Sequence, residues 1–169
     1  MAVGVIAERK NRKPVALVTS EGGAHWQTVP LKENPISLFF LNDSVGWMVM
    51  DKGLWRTDES GKSWTKLPKT TPRKWPKWMP APVLRVYFAD EKNGWAVGAA
   101  GTAWETHDGA QRWNPLPAAQ KLGDPHSNPY SNPGRTTYRW IVFADTQAGL
   151  ILGSNVSVRI THLSKRRRW

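Results

Sequence analysis

The sequence predicts an all-β protein assembled from repeated units of four short antiparallel strands, and three observations predict it. An eight-residue motif recurs, as "TSEGGAHW" at 19–26, "TDESGKSW" at 57–64 and "THDGAQRW" at 106–113. The residues flanking the motif repeat with it. Gly and Pro, 14 and 13 residues, are spread along the chain, as many short strands joined by turns require.

The motif comes first, because a repeat decides the fold before any single element does. Each octet has Thr first, an acid third, Gly or Ala fifth and Trp eighth. The endings "WQTVP", "WTKLP" and "WNPLP" place Val29-Pro30, Leu67-Pro68 and Leu116-Pro117 at equivalent positions. Upstream, Phe40 matches Phe88, Gly46-Trp47 matches Gly94-Trp95, and Trp55 matches Trp104. A further copy begins at Phe143, with Asp145, Gly149 and Thr161 in register. Octet spacings of 38 and 49 and Phe spacings of 48 and 55 give an imperfect period near 50. Seven of the 11 tryptophans fall on repeat positions, which chance does not produce.

The elements follow in order. The first unit, 1–31, shows three strands, near 3–8, 14–19 and 25–30, and lacks an innermost strand. The second, 36–68, has strands at 36–41, 46–50, 54–57 and 63–67, separated by Asn-Asp, Lys-Gly and Glu-Ser-Gly turns. The third covers 83–117 and the fourth 139–169, with long loops at 69–82 and 118–138. Four antiparallel strands in about fifty residues is the pattern of a β-propeller blade. The chain therefore reads as a single partial propeller domain, 1–169, of about three and three-quarter blades. A propeller avoids bare sheet edges by closing its ring, so a fragment of a longer propeller or a ring completed by a homo-oligomer is expected.

Composition bounds the function. No window of 18 apolar residues exists, so no helical membrane span is expected. The start, "MAVGVIAERKNRKP", has too short an apolar patch for a secretory signal. The absence of cysteine excludes a disulfide framework and thiolate metal sites. His25, His107, His126 and His162 have no partner at metal-ligand spacing, so neither metal nor cofactor is expected. The net charge of +11 favours an acidic partner.

The octet itself reads as a structural turn. The carboxylates of Glu21, Glu59 and Asp108 are expected to accept backbone N–H bonds, with Thr19, Thr57 and Thr106 adding their hydroxyls. Gly23 and Gly61 tolerate a positive φ, and Ala110 stands there in the third copy. Trp26, Trp64 and Trp113 open the outer strands and are expected to pack between neighbouring sheets. A catalytic acid is needed once, in a cleft, and not in every unit.

On these residues the octet resembles the Asp-box, or BNR repeat, of sialidases and related propellers. The longer unit "FADEKNGWAVGAAGTAWETHDGAQRW" is similar to repeats of the photosystem II stability and assembly-factor family, which are soluble seven-bladed propellers. The similarity runs from about residue 14 to 161. Glu for Asp in two copies, and Ala110 for glycine, depart from the pattern. The resemblance implies a noncatalytic binding scaffold that assists assembly of a membrane protein complex.

Blade topology then gives the charge an address. Octets share one end of the strands with the first-to-second turns, and the crossovers lie at the other, where long loops mark a working side. Segments 8–14, 68–82 and 117–139 belong to that second end. They hold Arg9, Lys10, Arg12, Lys13, Lys69, Arg73, Lys74, Lys77, Lys121, Arg135 and Arg139 against Glu8 and Asp124. Trp75, Trp78 and Tyr130 sit among them, and arginine with exposed aromatics is the composition of interface hot spots. The expected partner is an acidic protein segment, of a membrane complex if the resemblance holds. Lys165–Arg168 reads as the solvated end of a truncated blade. Sialidase-like hydrolysis is the enzymatic alternative, but this end is poor in carboxylates. Nucleic-acid binding has the charge and the aromatics, yet no recognisable nucleic-acid module.

Overall fold

The computed structural model describes residues 2–7, 13–68, 83–99, 101–116, 137–143, 148–153 and 156–161. Apart from Thr137 and Tyr138, the segments read as long loops, 69–82 and 118–138, lie outside them. The described residues contain fourteen strands and no helix.

The strands form four antiparallel sheets, each a meander in chain order. The first contains β1 (Ala2–Ala7), β2 (Pro14–Thr19) and β3 (Gln27–Pro30). The second contains β4 (Pro35–Phe40), β5 (Gly46–Met50), β6 (Gly53–Thr57) and β7 (Thr65–Lys66). The third contains β8 (Val83–Phe88), β9 (Gly94–Gly98), β10 (Ala103–Thr106) and β11 (Asn114–Pro115). The fourth contains β12 (Tyr138–Phe143), β13 (Ala148–Gly153) and β14 (Val156–Thr161). β7 is shorter than the strand expected over 63–67. The physical reason is that Ser63 and Trp64 still serve the turn: the Ser63 hydroxyl bonds the Glu59 carboxylate, and the Trp64 ring meets Phe40 edge-on.

One cross-strand device recurs in three sheets. Phe40 pairs with Gly46, Phe88 with Gly94 and Phe143 with Gly149. Each ring lies over its glycine, so that a Cβ there would meet ring carbons at 2.8, 2.4 and 2.7 Å. Aromatic cover of a strand glycine compensates the side chain it lacks.

The sheets pack face to face in sequence, and one Trp–Phe contact recurs at the second and third interfaces. Trp47 of the second sheet stacks on Phe88 of the third at 3.7 Å between ring centroids and 4° between planes. Trp95 of the third meets Phe143 of the fourth at 4.1 Å. Three cores result. Ala16, Met48, Met50 and Trp55 fill the first interface; Trp47, Val49, Val86, Phe88 and Trp104 fill the second; Trp95, Val97, Tyr138 and Ile151 fill the third. Each sheet is thus held mainly by its neighbours, in a nearly one-dimensional stack.

Candidate functional site

The octets close chiefly on the threonine hydroxyl rather than on the carboxylate, although Asp108 takes the backbone N–H bond expected of it. Thr19, Thr57 and Thr106 are 2, 1 and 0% exposed, and their hydroxyls carry the turn. Thr19 Oγ1 accepts from the backbone N–H of Glu21 at 3.2 Å and Gly23 at 3.1 Å. Thr57 Oγ1 does the same for Glu59 and Gly61, and Thr106 Oγ1 for Asp108 and Ala110. The glutamates instead reach four residues ahead to side chains: Glu21 to His25 at 2.7 Å, and Glu59 to the Ser63 hydroxyl at 2.7 Å. Asp108, one methylene shorter, accepts from the Arg112 N–H at 2.9 Å and from the Thr106 hydroxyl at 2.9 Å. These bonds, the Arg112 N–H foremost, hold the Asp108 carboxyl below its ordinary value.

Positions four and five of every octet have positive φ: Gly22 and Gly23, Ser60 and Gly61, Gly109 and Ala110. Position four was not singled out from the sequence. Trp64 and Trp113 sit edge-on to Phe40 and Phe88 of their own sheets, at 6.2 Å in both. Trp26 departs from this and is 48% exposed, because the described part of its sheet has no first-strand Phe to receive it.

The antiparallel registers place the described charges at one end of the strands or the other, except for Arg85 in mid-β8, whose Nε reaches the Arg139 carbonyl near the crossover end, and Arg159 in mid-β14. The octet end carries Arg56, Lys62, Lys92 and Arg112 against Glu21, Asp43, Asp58, Glu59, Asp90, Glu91, Glu105 and Asp108. At the opposite end stand Lys13, Lys32, Lys52, Lys66, Arg85 and Arg139 against Glu33 and Asp51. Four bases to eight acids at one end, and six to two at the other, make the described sheets electrically polar. Such sorting gives opposite potentials over the two ends and discriminates between charged partners.

Each end has a local anchor. At the octet end Arg56 reaches Asp58 of its own sheet and Glu91 of the next, both at 2.6 Å, with its guanidinium 5.3 Å from the Trp47 ring centroid. At the basic end the Glu33 carboxylate, only 9% exposed, accepts from the Trp55 indole N–H at 3.1 Å and from the Lys66 ammonium. The ammoniums of Lys32 and Lys66 stand 5.8 and 5.5 Å from the Trp55 ring centroid. Arg85 donates from Nε to the Arg139 carbonyl at 2.9 Å and lays its guanidinium 4.2 Å over Trp140. Cations over indoles hold charge and apolar surface together at this end.

Of the partner-binding residues expected from the sequence, Lys13 and Arg139 are described, and both are exposed at the basic end. Arg9, Lys10, Arg12, Arg73, Lys74, Trp75, Lys77, Trp78, Lys121, Tyr130 and Arg135 lie outside the described residues. Sequence reasoning passed over Lys32, Lys52, Lys66 and Arg85, which stand in strands or beside their ends rather than in long loops. Their signal was the register itself. An open cleft of about 250 Å³ lies between the first octet and the second sheet, lined in part by Thr19, Glu21, His25, Asp43 and Lys62. Neither arginine nor tyrosine lines it. No grouping of His, Asp and Glu among the described residues suits a metal ion.

Face-to-face antiparallel meanders of three or four strands in sequential order define an all-β protein of the β-propeller class, of which this chain forms part of a ring. Among solved structures it is similar to YCF48 from Cyanidioschyzon merolae, with TM-score 0.64 and 16% identity over 95% of this chain and 51% of the other. The chain thus spans about half the length of that structure. It is also similar to the GH74 enzyme of Niastella koreensis, with TM-score 0.59 and 12% identity over 85% of this chain and 22% of the enzyme. A YCF48 structure bound to a D1 peptide gives TM-score 0.37 at 15% identity, covering 89% and 73% of the two chains, too loose a superposition to argue from. No protein-family model matches the sequence, and no curated protein matches it.

Proposed function

We propose that this chain is a noncatalytic propeller scaffold that holds an acidic protein segment against its basic end. The observation that carries the reading is the sorting of charge, six bases to two acids opposite the octets and four to eight beside them. The rest of the excess points the same way in the sequence. The described residues hold 11 of the 24 bases and 10 of the 13 acids, so ten of the +11 charges belong to the other segments. Most of these are the stretches expected at the basic end, with Trp75 and Trp78 as apolar contacts. In this reading the octets are Asp-boxes that serve as turns. The likeness to YCF48 supports an assembly role for a membrane complex, while fold alone does not assign one.

Binding of an acidic fluorescent peptide, followed by anisotropy, tests this. Charge reversal at Lys13, Lys52 and Arg139, or at Arg73, Lys74 and Lys77, is expected to weaken binding by about tenfold or more. Reversal of Asp43, Glu59 and Glu91 at the octet end should leave it or strengthen it. Equal affinity in all variants would overturn the proposal. Turnover of fluorogenic glycosides, or tighter capture of single-stranded RNA than of the peptide, would replace it with the hydrolase or the nucleic-acid reading.

A further inference from the structure

We infer that Arg85 is the residue of the basic end that selects a carboxylate, and that Trp140 beside it receives the apolar neighbour of that acid. The inference rests on the acidic-segment reading for the source of the carboxylate, and adds which contact recognises it. Arg85 stands three residues before Phe88, in the place that Ser37 holds before Phe40 and Trp140 before Phe143. Equivalent sheets are thus built with serine, arginine or tryptophan there. The fold itself does not require a guanidinium at that place.

All three places follow the same irregularity of the first strand. Between Pro35 and Ser37, between Val83 and Arg85, and between Tyr138 and Trp140, the register with the second strand slips by one residue. An extra residue of this kind bends the strand and re-aims the side chain beside it, and such bulges concentrate next to binding sites. Beside its bulge, Arg85 crosses from β8 to β12. Its Nε donates to the Arg139 carbonyl at 2.9 Å, and its guanidinium lies 4.2 Å from the Trp140 ring centroid.

These two contacts fix the guanidinium and leave the two terminal nitrogens without a carboxylate among the described residues. Arg56 shows the opposite case. It also stands near an indole, that of Trp47, but Asp58 and Glu91 close on it at 2.6 Å. At the basic end the two described acids are engaged elsewhere: Glu33 by Trp55 and Lys66, and Asp51 by the Asn34 amide at 3.0 Å. Trp140 is 56% exposed, and Arg139 beside it is exposed too. A planar fork already ordered on an indole can take both oxygens of one carboxylate with little further loss of freedom. The ammoniums of Lys32 and Lys52 are point charges that attract any anion, and they do not impose that geometry.

The test compares a charge kept with a charge lost, by anisotropy of a fluorescent peptide in which glutamate precedes phenylalanine. Arg85→Lys keeps the charge without the fork and is expected to weaken binding about tenfold. Lys52→Gln loses a charge and should weaken it only about twofold. Arg85→Ser, which the second sheet shows to be compatible with the strand, should lose at least as much as Arg85→Lys. Trp140→Leu should narrow the preference for that peptide over one with glycine in place of phenylalanine. A second readout needs no peptide: in nuclear magnetic resonance of the isotope-labelled full chain, millimolar acetate should move the Trp140 indole N–H more than inorganic phosphate does. That shift should vanish in Arg85→Lys. Peptide capture indifferent to Arg85 would leave the scaffold reading standing and sink this one. An acetate shift through Arg85 with no acidic peptide captured would do the reverse. A larger loss in Lys52→Gln than in Arg85→Lys, or a larger shift with phosphate, would also overturn the assignment.

Discussion

Thr57 shows how little of a turn resides in its most conspicuous residue. Its hydroxyl, almost fully buried, answers two backbone N–H groups that would otherwise be stranded, and the acid two residues on is an accessory. The φ angles of the same turn carry a testable strain. Ser60 has φ of 59° and Ala110 has φ of 70°, a region that costs a residue with a Cβ about 1–2 kcal/mol. Ser60→Gly is expected to raise stability by about 0.5 kcal/mol in urea unfolding, since relieved strain exceeds the added freedom of the unfolded chain. Ala110→Gly should come out near neutral, because its methyl is buried in the core between the second and third sheets.

The Asp108 carboxyl supplies a pH test at the same scale. Its folded value is lowered, so its contribution is complete above the unfolded value of about 3.9 and is lost as pH falls through the folded one. Asp90 is lowered too: burial opposes the shift, but bonds from the Asn93 amide side chain and from the Asn93 and Lys92 backbone N–H groups outweigh it. Melting temperature should therefore drop on the acid side below about pH 4, where both carboxyls take up protons. Asp108→Asn should flatten that acid limb by lowering the melting temperature near neutrality, with little change at the acid end where the carboxyl is already protonated.

At the scale of the element, the paired Phe and Gly set how closely two strands and two sheets approach. Gly94 is short of space, not of conformational freedom. A Cβ there would lie 2.4 Å from the Phe88 ring, and the ring cannot retreat because Trp47 is stacked on it at 3.7 Å. Gly94→Ala is expected to cost about 3 kcal/mol, seen as a lower denaturant midpoint. Gly22→Ala provides the contrast. Nothing stands within 4 Å of its Cβ, so only its φ of 63° resists, at about 1 kcal/mol.

Across the whole molecule, the repeat separates two tasks. Apolar faces hold sheet to sheet, while strand ends hold charge, and chain order sends acids to one end and bases to the other. Raising salt should weaken capture of an acidic peptide steeply, because the responsible charges are exposed and act across solvent. The same salt series with the Asp43, Glu59 and Glu91 reversals should show a slope at least as steep. A flat series in the wild-type chain would mean that apolar contact, not charge, holds the peptide.

The octets, the Phe40, Phe88 and Phe143 positions and the alternation of apolar residues were enough to determine an all-β fold of repeated antiparallel sheets and the strands of the first two. These are local patterns, and a strand's pairing partner in a meander is the next strand along. The order of octets and crossovers could be read for the same reason, while of the partner-binding residues expected opposite the octets only Lys13 and Arg139 fall within the described residues. Tertiary structure alone decided which oxygen closes the octet, why Gly46, Gly94 and Gly149 must lack a side chain, and that the Arg85 guanidinium lies over Trp140. Each of those depends on what another strand or sheet places within a few ångströms, and sequence order does not carry that distance.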